Sequence, residues 1–511
     1  MATESEETKQ AGTAAEEAKL ESSSSSSDES DDSEILRAAG LLERYHIIRS
    51  SIAWYNNVIV GASYSTPTAL TVPTFIRALH SVIAQHPILA SGIRLPSSSS
   101  KAPSFIRLPR VDFSQHGLIL WESSGSAASH GRDLRDLIVR LHNTPFPNDK
   151  LDSTPAWRIA VLQRSYNVPT AYDSSTNAQG RYDYEILFCF HHAIADGLSG
   201  AAFHYSLLDA LATAARDDAA STSGYDVYNV PEDLELLPAM DDVVDLGLGI
   251  KTAGRIASYL GKAIVPSFLR KQIWTAGKIG DSLAETKVQI LQVDAKALLT
   301  AVKAHKVSIT AFITYAAAHA LYASMAAVNA SEHGKMKTVR VSLPMSYRRS
   351  AGWGNDVMVD CVGALDWDIH AFDNLHREVH AMKKLTKEVR VAAGATRDSE
   401  VGLLALVGDM EGFFRGQVGK ERGLTFEVSN LGVWDKEKVT AGGEADDWRI
   451  EQAVFSQSSS VAGPAFSVNV ATVGERMVVG VQWMDGVVGD KVMESLVGQL
   501  ETDIATFGKK K

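Results

Sequence analysis

Cysteine is nearly missing. Cys189 and Cys361 are the only two in 511 residues, and both lie inside apolar runs. A disulfide scaffold is thereby excluded, and two buried, reduced thiols are expected. Long hydrophobic runs are lacking as well: with no apolar stretch of about 18 residues, no segment is expected to span a bilayer. The first residues are acidic and have no apolar core of a secretory signal. Excess positive charge is absent too. The formal net charge is -11, which removes broad attraction to nucleic acid. Nor does the chain contain H-E-x-x-H, G-x-S-x-G or a phosphate-binding loop.

What remains is globular material. Hydrophobic residues make up 45%, charged residues 22% and aromatics 8%, which suits two or more domains with a core needing no disulfide or metal. Residues 1–34 form an acidic, Ser-rich tail. It is expected to be disordered, because ordering it would bury too little apolar surface to offset the lost chain entropy.

After the tail, strands and helices alternate. Phe75, Ile76, Leu79, Val82 and Ile83 recur at helical spacing behind a capping Thr71 and ahead of Pro87. Residues 186–190 are an unbroken apolar run, as in a buried strand, and a helix carrying Leu198, Ala201, Tyr205, Leu208 and Leu211 follows. A second series begins with a strand at 288–293 and helices started by Asp294 and Ser308. Strands are expected at 339–343, 357–362, 424–428, 466–473 and 477–483, with a closing helix over 491–507. The expected division is an N-terminal domain over 35–235, a linker over 236–286 and a C-terminal domain over 287–511. In and around the linker, residues 241–274 interleave Val244, Leu248 and Ile256 with Lys251, Arg255 and Lys262. This reads as a membrane-surface helix or as a linker helix packed on its own domain.

The strongest chemical signal is His191-His192-Ala193-Ile194-Ala195-Asp196-Gly197, directly after the buried run. An α/β fold exposes reactive side chains at strand ends, and a histidine suits proton abstraction because its ordinary pKa of about 6.5 lies near operating pH. The aspartate can fix the loop or pair with a distant arginine. The plain alternative is a buried turn whose histidines satisfy backbone groups. A metal set of His191, His192 and Asp196 lacks a second cluster to complete it. Gly280-Asp281-Ser282-Leu283 spells a hydrolase motif but sits mid-chain in a polar stretch. Gly247-Leu248-Gly249 is not a full dinucleotide fingerprint.

The string H-H-x-x-x-D-G resembles the signature of the chloramphenicol acetyltransferase-like acyltransferases, which include plant BAHD enzymes and peptide-synthetase condensation domains. Further segments are similar to the fungal alcohol acetyltransferases. These are Leu42-Glu43-Arg44-Tyr45 with Gln85-His86-Pro87-Ile88-Leu89, Pro155-Ala156-Trp157-Arg158, Ala304-His305-Lys306-Val307-Ser308-Ile309-Thr310, Leu343-Pro344-Met345, Val428-Ser429-Asn430-Leu431-Gly432 and Phe455-Ser456-Gln457-Ser458. They run in shared order from about Leu41 to the C-terminal helix. The plant-type D-F-G-W-G is missing; Ser-Asn-Leu-Gly stands in the comparable region.

The resemblance implies His192 and Asp196 as the candidate catalytic pair. His192 is implied as the general base toward an acceptor hydroxyl, with no covalent acyl-enzyme. Asp196 is implied to face away from the substrate and to pair with an arginine, Arg349 first and Arg348 as the alternative. His191 is implied to be structural, and Gly197 to allow close helix–loop packing. Ser429 and Asn430 are candidates for binding the oxyanion or the substrate. The implied fold is α/β with mixed sheets, in two chloramphenicol-acetyltransferase-like domains with a substrate tunnel between them. The implied reaction moves an acetyl group from acetyl-CoA to a small-molecule alcohol. An amine acceptor on the same fold and a catalytically silent scaffold are the rivals. Arg270, Lys271, Arg348 and Arg349 are candidates for the CoA phosphates. No metal, no nucleic acid, at most weak membrane-surface association and a monomeric state are expected, in the cytoplasm or peripheral to a membrane or lipid droplet.

Overall fold

The apolar run before the histidines folds as the strand Tyr182–Phe190, whose last seven residues are all buried. Burial on both faces is possible because the strand is central in a six-stranded sheet. The sheet order is Thr440–Ala441, Trp448–Gln457, Val58–Thr66, Tyr182–Phe190, Trp157–Gln163 and Ile119–Ser123. Only the last pair is parallel. Helix Val72–Gln85, capped by Thr71 as expected, packs against helix Gly197–Ala214. Phe203 of the latter stacks on Phe188 of the central strand with ring centroids 4.0 Å apart. This computed structural model describes residues 34–509 except 98–101, 115–116, 127, 166–179, 217–225, 248, 250–272, 335, 398 and 443–446. The acidic tail to Ser33, most of the amphipathic stretch expected over 241–274, and Arg270 and Lys271 therefore lie outside the described residues.

A second six-stranded sheet has the order Thr286–Asp294, Arg476–Met484, Phe466–Val473, Phe426–Val433, Thr338–Ser346 and Val362–His370. It is mixed: Phe426–Val433 is parallel to both its neighbours and the other pairs are antiparallel. Helices Ile309–Val328 and Asp490–Phe507 pack together over it. Contrary to the expectation from the sequence, Ile309–Val328 is long and apolar enough to cross a membrane by length and composition. Its apolar window is 72% buried inside the protein, which is the pattern of a core helix.

Three departures from the sequence reading bear on function. The strand expected at 357–362 begins only at Val362, and the residues before it are a buried irregular segment. Its backbone groups are taken elsewhere: Val359 N donates to Ser199 Oγ at 3.0 Å, Asp196 N donates to Val359 O at 3.2 Å, and Cys361 N donates to Asp196 Oδ2 at 3.2 Å. Strand Trp448–Gln457, which periodicity does not reveal, joins the first sheet from late in the chain, its register broken between Ile450 and Gln452. Helix Leu41–Ser51, also missed, buries the polar Glu43 and His46 on one face.

Candidate active site

His192 leaves the end of the central strand in a turn pinned by His191 N, which donates to Ala156 O at 2.9 Å. His191 is buried, and its Nδ1 accepts from Ala193 N at 3.1 Å. Burial is the first cause that pushes its pKa down to about 3. His192 differs. Its side chain is 12% exposed, and that opening gives onto a cavity of about 570 Å³ between the two sheets. Burial, helped by the Arg49 charge and opposed by the residue's own backbone carbonyl and Asp196, pushes His192 down to about 4. The imidazole is therefore neutral at neutral pH, as a base must be.

The motif alone does not reveal what surrounds this ring. His46, from helix Leu41–Ser51, stacks on His192 with centroids 3.9 Å apart and planes 7° from parallel. Arg49, one turn further on, places Nη2 2.8 Å from His46 Nδ1 and its guanidinium 3.8 Å from the Tyr55 ring centroid. Asp360, on the irregular segment, brings Oδ2 to 3.3 Å from His46 Nε2 and Oδ1 to 3.6 Å from His192 Nδ1. Burial raises Asp360 well above the usual carboxylate range; Asp196 and Glu43 add to this, and Arg49 and Arg348 oppose it. The donor atoms of His46, His192 and Asp360 lie within 4.8 Å of one another, a grouping the sequence does not suggest. Metal ligation by two imidazoles needs in-plane lone pairs that converge on one point. The two rings are near-parallel, and each brings a nitrogen within 3.6 Å of the one carboxylate.

Asp196 borders the cavity, but its carboxylate is engaged by an arginine, and that partner is Arg348 and not Arg349. The guanidinium binds it bidentately, Nη1 to Oδ2 at 2.5 Å and Nη2 to Oδ1 at 2.8 Å. The two arginines are adjacent on the short helix Arg348–Ala351, where neighbouring positions point in different directions; Arg348 is buried and Arg349 exposed. Asp196 is also the N-cap of helix Gly197–Ala214, accepting from Ser199 N at 2.9 Å. Burial alone would raise its pKa, but the Arg348 charge and the hydrogen bonds from Arg348, Ser199 and Cys361 bring it below the ordinary value. Arg348, engaged in this way, is not available to CoA phosphates.

Gly197 packs closely against Leu431 and Phe455. A Cβ there would lie 2.4 Å from Leu431 Cδ2 and 3.2 Å from Phe455 Cζ. Ser429 lines the cavity. Asn430 does not: its Nδ2 donates to Thr310 Oγ1 at 3.1 Å and its Oδ1 accepts from Gly432 N at 2.8 Å, so it shapes the strand irregularity there. Glu427, unmarked in the sequence, and Gln457, from the Phe455-Ser456-Gln457-Ser458 segment, also line the cavity, and Gln457 Nε2 donates to Glu427 Oε1 at 2.9 Å. Ser282, in the discounted hydrolase motif, is exposed and bonds only its neighbour Asp281 among the contacts described.

Two mixed sheets with a histidine-bearing cavity between them form the two-sheet fold of the chloramphenicol acetyltransferase-like proteins. The comparisons make the assignment narrower. The family model described as alcohol acetyltransferase matches residues 136–503, and the chain belongs to that family. It is 25% identical over 498 residues to the probable alcohol acetyltransferase FCK4 of Fusarium pseudograminearum, covering 93% of this chain and 96% of that protein. It is 22% identical to the probable alcohol acetyltransferase crmB of Aspergillus fumigatus, covering 89% and 96%. Among solved structures it resembles the trichothecene 15-O-acetyltransferase of Fusarium sporotrichioides, with a TM-score of 0.63, 14% identity and coverage of 92% and 94%. The starter condensation domain of rhizomide synthetase, solved with C8-CoA, follows with a TM-score of 0.56, 12% identity and coverage of 93% and 94%. These likenesses extend over both sheets. The protein is an acetyltransferase-type enzyme acting between a small-molecule acyl donor and an acceptor.

Proposed function

We propose that the protein transfers an acetyl group from acetyl-CoA to the hydroxyl of an alcohol with an apolar body, and that His192 is the general base. The observation that carries this reading is the His192 imidazole, largely buried but opening onto a cavity with an apolar wall that includes Leu42, Val362, Val401, Leu404 and Trp483. With Nδ1 turned to Asp360, Nε2 is left for the cavity. It takes the proton of the acceptor hydroxyl as that oxygen attacks the thioester carbonyl. Collapse of the tetrahedral adduct breaks the C–S bond, and the imidazolium returns the proton to the departing CoA thiolate. Ester and free thiol are the products, and no acyl group rests on the enzyme.

Ser429, on the second sheet, supplies a hydroxyl toward the oxyanion. Ser429→Ala is expected to lower kcat by about 10²-fold, the lower range for loss of one such donor. Unchanged kcat in that variant would remove Ser429 from the mechanism.

The reaction is tested by release of free thiol from acetyl-CoA with a homologous series of primary alcohols and the matching amines. Each methylene buried against the apolar wall is worth ~0.8 kcal/mol, or about fourfold. Acceptor kcat/KM should rise by about that factor per carbon until the cavity is full. Thiol release with amines alone would transfer the reading to an N-acetyltransferase. A flat series would show that the apolar wall does not select the acceptor.

A further inference from the structure

We propose that Asp360 is the positioning residue of this site: its carboxylate accepts the Nδ1 proton of His192 and so holds the Nε2 lone pair toward the acceptor hydroxyl. The inference rests on the reading of His192 as the base.

The argument begins at Arg49. A guanidinium can only donate, so His46 Nδ1, 2.8 Å from Arg49 Nη2, is an acceptor. The single proton of neutral His46 then sits on Nε2, the nitrogen 3.3 Å from Asp360 Oδ2. One carboxylate oxygen thus faces an N–H. The other, Oδ1, faces His192 Nδ1 at 3.6 Å. The Asp360 side chain is fully buried, and beyond the His192 ring's contact with its own backbone carbonyl, neither the Asp360 oxygens nor His192 Nδ1 nor His46 Nε2 has a closed hydrogen bond among the described residues. Four buried polar atoms in such a state are costly. The two imidazoles and the one carboxylate are within a small adjustment of satisfying one another, and catalytic hydrogen bonds commonly tighten when substrate binds.

The same proton decides the chemistry. With Asp360 ionised, His192 carries its proton on Nδ1 and the base is armed. A protonated Asp360 would instead donate to Nδ1, which places the ring's own single proton on Nε2 and blocks the base. The groups around Asp360 set where that happens. His46, Glu43 and Arg49 face it from helix Leu41–Ser51, His192 and Asp196 from the motif, and Arg348 and Cys361 from the segments beside it. Activity is then lost on the acid side as the Asp360–His192 pair takes up one proton, above the pH at which His192 alone would titrate.

The test combines the resting protein with variants. In ¹⁵N-histidine-labelled full-length protein at neutral pH, the His192 resonances, assigned by their loss in His192→Ala, should show a protonated Nδ1 and a bare Nε2. The reverse tautomer overturns the proposal, and this readout needs no Asp360 variant to fold. Asp360→Asn should lower kcat by about 10²-fold, since the amide can donate to Nδ1 and favour the wrong tautomer. The acid limb of its kcat/KM profile should move to lower pH, because asparagine does not titrate. Combining it with His192→Ala should cost nothing beyond His192→Ala alone, as a residue acting through His192 requires. Normal kcat with an unmoved acid limb, or a loss that persists without His192, would overturn the proposal. If His192→Ala itself keeps its turnover, the base reading fails separately, and the tautomer still decides the Asp360 contact.

Discussion

Replacing His192 with alanine is expected to lower kcat for acetyl transfer by about 10²–10⁴-fold, the scale of lost general-base catalysis, with little change in KM for acetyl-CoA. The split follows from where the ring sits. Its Nδ1 is buried beside Asp360 and its face is stacked on His46, so the base acts mainly as bonds change and contributes little to ground-state binding. The fold should survive, because the deletion enlarges a cavity that is already open. The unfolding midpoint and a full kinetic comparison against wild type measure both parts. A variant with near-normal kcat would remove His192 as the base, and a variant that no longer folds would show that the stacked pair is structural.

Legibility from sequence was uneven, for physical reasons. The central strand, the motif after it and the Thr71 and Ser308 caps were readable because each is a local pattern: an apolar run, a reactive string, a hydroxyl before a periodic helix. The partners of His192 were not, because they come from elements more than 140 residues away in both directions. His46 and Arg49 stand at three-residue spacing after Glu43, a polar stripe on a helix whose apolar pattern is weak; that stripe was the available signal. Asp360 lies in a mostly apolar run, Val357, Met358, Val359, Cys361 and Val362, that reads like a strand. Its backbone is instead bound to the cap of helix Gly197–Ala214, and no periodicity encodes that. The choice between Arg348 and Arg349 was open for a similar reason, since both follow the same strand and only the helical turn after it decides which one faces inward.

The Asp196–Arg348 pair is expected to govern stability as His192 governs turnover. Asp196→Asn should lower unfolding free energy by about 3–5 kcal/mol, the cost of leaving one member of a buried ion pair uncompensated. The Arg348 side chain is only 2% exposed, and the new amide N–H would meet a guanidinium that can only donate. Activity should fall with stability, because Asp196 also holds Cys361 N, next to Asp360. Removing both charges, Asp196→Leu with Arg348→Met, should recover part of the loss, as apolar replacement of buried pairs often does. Recovery should be incomplete: the helix N-cap to Ser199 is still gone, worth about 1 kcal/mol. The pH dependence has a defined sign. The folded pKa of Asp196 lies below its ordinary value, so its contribution is fully present above about pH 4 and is lost as pH falls through the folded value. Denaturation midpoints should therefore separate wild type from Asp196→Asn widely at neutral pH and draw together in acid. A constant separation down to low pH would mean that the aspartate's charge is not what the pair contributes.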